Sequence, residues 1–95
     1  MNTTRDMWVL RLYVAGQSPR SLRALANVRK ICSDLLPGRH DLEVIDLYQQ
    51  PELAQEAQIV ALPTLVRQAP KPSCMLIGDL SNTQDVLREL DLSPT

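Results

Sequence analysis

The sequence predicts an α/β fold, one domain over residues 1–95 with elements in the order β-α-β-α-β-β-α. Three observations carry this. Met7 to Val14 alternates, with Trp8, Leu10, Leu12 and Val14 on one face and Val9, Arg11 and Tyr13 on the other, as a strand does. Ser18-Pro19 then opens a long run with apolar residues every three or four positions, the mark of an amphipathic helix. Near the end, Ser81 to Gln84 has the Ser-x-x-Gln form of a capping box ahead of Val86, Leu87 and Leu90, so the chain finishes on a helix.

Each element follows from local chemistry. The first strand is expected to be central, because both its faces carry apolar side chains. In the first helix Ser18 supplies the capping hydroxyl, and Pro19 sits at the first helical position, where its missing N–H costs nothing. Leu22, Leu25, Val28, Cys32 and Leu35 mark the expected buried face, Arg20, Arg23 and Lys30 the opposite one, and Pro37-Gly38 ends the helix. Leu42 to Tyr48 reads as a second strand, with Val44, Ile45 and Leu47 suggesting a parallel strand covered on both sides. The strand-helix-strand crossover is expected to be right-handed. After Gln50-Pro51, Glu52 to Gln58 has high helix propensity but only about two turns, so it needs tertiary support. Leu65-Val66 and Met75-Leu76-Ile77 are short strands bracketing Ala69-Pro70-Lys71-Pro72, a hairpin connection.

Composition removes several functions. Ten basic against eleven acidic residues leave a formal charge of −1, and the aromatic residues are only Trp8, Tyr13 and Tyr48. A general polyanion binder needs a basic surface and a single-strand binder needs stacking platforms, so no nucleic-acid partner is expected. No apolar run approaches the ~20 residues of a membrane span, and Met1-Asn2-Thr3-Thr4-Arg5-Asp6 lacks an apolar leader core. The expectation is a cytoplasmic protein with no membrane partner. Cys32, Cys74 and the lone His40 have no ligand spacing, so neither a metal nor another cofactor is expected.

The element order resembles the thioredoxin-like βαβαββα arrangement. In such a fold Gly16-Gln17-Ser18-Pro19-Arg20-Ser21 stands where a redox pair would sit, and it offers two serines and no thiol. A Cys-x-x-Cys pair works because the following helix lowers one thiol's pKa and the second thiol resolves the mixed disulfide; serine can do neither. Ala61-Leu62-Pro63-Thr64 keeps the short x-Pro-Thr step that in such folds often holds a cis peptide facing the helix start. No Gly-x-Ser-x-Gly elbow activates Ser18 or Ser21, so they are caps rather than nucleophiles and no enzyme is expected.

Six segments in order resemble the KaiB family. They are Leu12-Tyr13-Val14-Ala15-Gly16, Ser18-Pro19-Arg20-Ser21-Leu22-Arg23-Ala24-Leu25, Glu43-Val44-Ile45-Asp46, Gln50-Pro51-Glu52-Leu53-Ala54, Ala61-Leu62-Pro63-Thr64-Leu65 and Ile77-Gly78-Asp79-Leu80-Ser81. The resemblance implies a non-enzymatic clock protein that docks on the first ATPase domain of a KaiC-type hexameric ring and recruits KaiA or a histidine kinase. It also implies an alternative ground-state fold, βαββααβ, that rearranges the second half of the chain. On this resemblance Arg20, Arg23 and Lys30 are partner-binding candidates, and Gly78 and Asp79, with the structural Pro63, bear on the balance of the two folds. The helix formers through Leu90 favour the thioredoxin-like state. Pro70-Lys71-Pro72-Ser73-Cys74-Met75 carries only Lys71 where clock members commonly have adjacent basic residues. Leu92-Ser93-Pro94-Thr95 lacks their acidic and aromatic tail. Both departures favour a dimer over a tetramer as the homo-oligomer, and they leave room for a KaiB-like adaptor outside the core clock, in stress or signalling. A third reading, a degenerate redox protein acting through Cys32 or Cys74, requires an accessible, reactive thiol.

Overall fold

A computed structural model describes residues 7–92; the amino-terminal stretch read for a leader and the final three residues lie outside them. Its elements are β1 (Trp8–Val14), α1 (Pro19–Leu35), β2 (His40–Asp46), α2 (Glu52–Glu56), β3 (Thr64–Ala69), β4 (Cys74–Ile77) and α3 (Thr83–Leu90). This is the thioredoxin-like order expected from the sequence. The sheet runs β2-β1-β3-β4, with β1 parallel to β2 and antiparallel to β3, and β3 antiparallel to β4.

The alternation in β1 divides the molecule into two layers. Trp8, Leu10, Leu12 and Val14 join Ala24, Val28, Ile31 and Cys32 of α1, Leu65 and Leu76 of the sheet, and Val86, Leu87 and Leu90 of α3 in the main core. Tyr13 faces the other way, with Ile45 and Leu47, under Leu53, Ala54 and Ala57 from the α2 segment. Fully burying a leucine such as Leu12, Leu65 or Leu90 stabilises by about 1.5–3 kcal/mol, so the first layer carries most of the driving force.

Local chemistry shifts three of the sequence expectations. The buried stripe of α1 is Ser21, Ala24, Val28, Ile31 and Cys32, whereas Leu22 is 51% exposed. Ser21 takes the inward position because its hydroxyl accepts from Ala15 N–H (3.1 Å) and from the Ser18 hydroxyl (2.9 Å), leaving little polarity unpaired at the helix start. Second, β2 starts and ends earlier than expected and is an edge strand. Glu43 and Val44, on opposite faces, are both exposed because an edge strand is flanked on one side only. Third, the cap of α3 is Asn82, whose side chain accepts from Asp85 N–H (3.1 Å); Ser81 instead closes the preceding turn.

The turn after β1 is fixed by Asp46. Its Oδ1 accepts from Gly16 N–H (3.0 Å) and Tyr48 N–H (2.9 Å), tying the β1–α1 connection to the end of β2. Gly16 has φ +56°, the left-handed region that favours glycine, and a Cβ there would press on the Tyr48 ring at 3.1 Å.

Across the sheet, the buried Arg67 on β3 holds the last helix. Its guanidinium donates to the Leu90 carbonyl at the end of α3 and to the Pro72 carbonyl (2.7 Å), and stacks over Trp8 with 5.2 Å to the ring centroid. A cation at a helix carboxyl end meets the negative pole of the helix dipole. Arg67→Met keeps most of the volume but strands two carbonyls, and should lower unfolding stability by about 2–3 kcal/mol in a urea titration. An unchanged midpoint would contradict this role for the guanidinium.

Candidate functional site

The start of α1 and the turn from β4 to α3 bring the sequence candidates together. Ser18 caps α1 by accepting from Ser21 N–H (3.2 Å), and Pro19 takes the first helical position. The two serines are bonded to each other and to backbone, so no free nucleophile is presented. Leu62-Pro63 is a cis peptide, Pro63 is fully buried, and the Thr64 hydroxyl donates to the Ala61 carbonyl (2.7 Å) to close that loop.

Pro63 and Gly78 then meet directly, since Gly78 N–H donates to the Pro63 carbonyl (2.9 Å). Gly78 has φ +123°, a conformation that side chains exclude, and Leu80 follows with φ +63° while its side chain is buried. Between them Asp79 clamps the turn to α1. Its Oδ2 receives Arg23 Nε (3.2 Å), its Oδ1 receives Ser81 N–H (3.1 Å), and its carbonyl accepts from the Asn27 amide (2.9 Å). Arg20 lies alongside, with Nη2 3.8 Å from the place a Cβ on Gly78 would occupy.

Arg20, Arg23, Pro63, Gly78 and Asp79 therefore form one cluster. Lys30 stands away from it, paired with Asp34 (3.2 Å) two turns further along α1. Arg23 spends part of its charge on Asp79, whereas Arg20 has no ion pair among the described residues. Asn27 was missed by sequence reasoning, which weighed only the charges on this face. Its spacing of four from Arg23 was the available signal.

The Ser81 side chain, then Arg23, then the Ser81 N–H hold the Asp79 carboxyl below the ordinary aspartate range. The depressed value means that this carboxylate's contribution to stability is present above the unfolded-state pKa and lost as pH falls through the folded one. The thiols give the opposite result. Cys32 is buried in the core, and burial pushes its thiol up to about 11, so it is not the activated thiolate a redox site needs. Cys74 is partly exposed. Among the described residues no cluster of His, Cys, Asp and Glu is arranged to hold a metal ion, and no helix is long and apolar enough to cross a membrane.

Comparison with known proteins fits this arrangement. The KaiB domain family model matches residues 11–92. The circadian clock protein KaiB3 of Synechocystis sp. is 46% identical over 86 residues, covering 90% of this chain and 84% of that protein. The circadian clock oscillator protein KaiB of Gloeothece citriformis is 47% identical over 92 residues, covering 97% and 87%. Among solved structures, the N-terminal domain of Synechococcus elongatus SasA superposes with a TM-score of 0.73 at 23% identity, over 96% of this chain and 90% of that one. Chloroplastic thioredoxin z gives 0.71 at 22% identity, over 93% and 81%. At these identities the two structures speak for the thioredoxin-like fold alone.

Two measurements check the site. In an NMR titration the Asp79 carboxyl should have its midpoint below the ordinary aspartate range, moving upward in Ser81→Ala and in Arg23→Gln; a normal midpoint would remove the clamp. With an aromatic disulfide reagent at pH 8, Cys74 should react in the native protein and Cys32 only after denaturant is added. Rapid native modification of Cys32 would revive the redox reading.

Proposed function

Because the chain belongs to the KaiB family, we propose that it is a non-enzymatic regulator of the circadian-clock type. In this reading it docks on a KaiC-type hexameric ATPase ring, modulates the ring's phosphorylation state and recruits KaiA or a histidine kinase. The observation that carries it is the start of α1. There, the position of a redox pair is filled by two mutually bonded serines beside an exposed basic helix face, which supports binding in place of thiol chemistry. Arg20 and Arg23 are the proposed contacts to an acidic surface, with Lys30 extending the face along the helix. Of these Arg20 has the larger share, because its charge is not already engaged by Asp79.

Fold exchange belongs to the same proposal. Gly78 and Asp79 stabilise the turn that α3 needs, so they bias the chain toward βαβαββα and against βαββααβ. A two-state element of this kind responds to a partner only through the difference in affinity for its two forms. The single charge in Pro70 to Met75 favours a second reading, a KaiB-like adaptor outside the core clock.

Size-exclusion chromatography with a KaiC-type hexamer, in ATP or ADP and sampled over hours, separates the two readings. The clock reading predicts migration of the chain into the ring-sized fraction, with affinity reduced about tenfold in Arg20→Glu. Absence of any complex in both nucleotides would sink the clock reading and leave the adaptor.

A further inference from the structure

One face of the sheet is only partly covered by the chain's own helices. Strand side chains alternate between faces, and Leu12, Leu65 and Leu76 take the α1 side. Val9 and Tyr13 of β1 and Val66 of β3 therefore take the other, together with Met75, which stands opposite Val66. On that side α2 has five residues, about 7.5 Å of helix, and its segment packs over Tyr13, Ile45 and Leu47. Met75 and Ile77 of β4 are left 40% and 59% exposed.

Between the α2 segment and the proline-rich connection this face holds a groove of about 510 Å³, within the size range of small-ligand sites. Its floor is apolar, made by Val9, Tyr13, Val66 and Ala69, and Lys71 and Ser73 stand at the Val9 end. Lys71 has no ion pair among the described residues. The loop that carries it is anchored through the sheet, because Arg67 donates to the Pro72 carbonyl (2.7 Å) from the α3 side. At the Tyr13 end the groove adjoins a smaller hollow lined by Arg11 and Glu56. Arg11 is paired with Glu43 (3.3 Å), which leaves the Glu56 charge unmatched there. The groove thus runs from a free cation to a free carboxylate over an apolar floor.

We propose that this groove binds a small amphipathic carboxylate, a fatty-acid-like molecule with its head at Lys71 and its tail along Val9, Val66 and Tyr13. Charge fixes both the class and the direction. Lys71 attracts the carboxylate, with the Ser73 hydroxyl beside it as a second donor, and Glu56 repels the head from the far end. Length agrees, since Val9 to Tyr13 spans about 13 Å of strand, comparable to an extended decyl chain. The tail would cover apolar surface that α2 leaves in water, which supplies the driving force. The site lies on the opposite face of the sheet from α1, so a bound amphiphile leaves Arg20 and Arg23 open.

The test needs the chain alone, so its outcome is independent of any ring partner. Sodium decanoate, kept below its micelle concentration, is titrated into the isotope-labelled protein, with decylammonium and decanol as parallel arms. Decanoate should shift the amide resonances of Val9, Val66, Gln68 and Ser73 saturably, and the other two should bind about tenfold more weakly. Lys71→Glu, an exposed loop change, should weaken decanoate about tenfold and leave decanol unchanged. Ala57→Trp, which fills the groove from the α2 side, should abolish binding of all three. Circular dichroism identifies a variant that fails to fold, and Gln68→Trp then replaces Ala57→Trp. Absence of saturable shifts, shifts confined to another face, equal binding of decylammonium, or a Lys71→Glu protein that still prefers decanoate would each overturn the proposal.

Discussion

The buried guanidinium of Arg67 is the contact on which the second half of this fold depends. β1 and α3 are far in sequence from β3 and the proline-rich connection that follows it, and one side chain ties them together through Pro72, Leu90 and Trp8. Burying a cation without a carboxylate is costly unless acceptors are supplied. Here the acceptors are carbonyls that a helix end and a tight loop leave without ladder partners. The arrangement is therefore reciprocal: α3 gives Arg67 a place for its charge, and Arg67 gives α3 a fixed end.

With that end fixed, the other end of α3 shapes the proposed docking face. The turn from β4 must reverse within a few residues, and it does so with positive φ at Gly78 and at Leu80. A left-handed leucine costs roughly 1 kcal/mol or more, which burial of its side chain and the Asp79 clamp onto α1 offset. Arg23 is thus a structural cation first, held at the turn. Arg20, one helical turn earlier, sits on the same junction with its charge available. The thioredoxin-like helix start carries the bonded pair Ser18 and Ser21 where a redox pair would sit.

Much of this was legible in the sequence because it is local. Alternation in β1, the Ser18-Pro19 helix start and the element order each rest on residues within one window, and Pro63, Gly78 and Asp79 were legible through their motifs. What was not legible depends on distant partners. Ser21 displaces Leu22 from the core because of hydroxyl bonds to Ala15 and Ser18. Asn82 takes the cap from Ser81 because Asp79 engages Ser81 first. The exposure of Val44 follows from the place of β2 at the edge, and a run of apolar residues cannot reveal strand order. Arg67, just past the expected Leu65-Val66 strand, drew no reading, since its acceptors lie in a loop and a helix still to come.

The docked α3 supports the rest, because the turn from β4 and the Asp79 clamp onto α1 are built against it. Backbone carbon chemical shifts of the isolated, isotope-labelled chain test it directly. The dominant set of resonances should show helical shifts through Thr83–Leu90, with contacts between the Leu90 region and Trp8. Strand-like shifts over Thr83–Leu90 in the dominant set would mean that the resting protein is built differently, and the proposed docking face would not belong to its ground state.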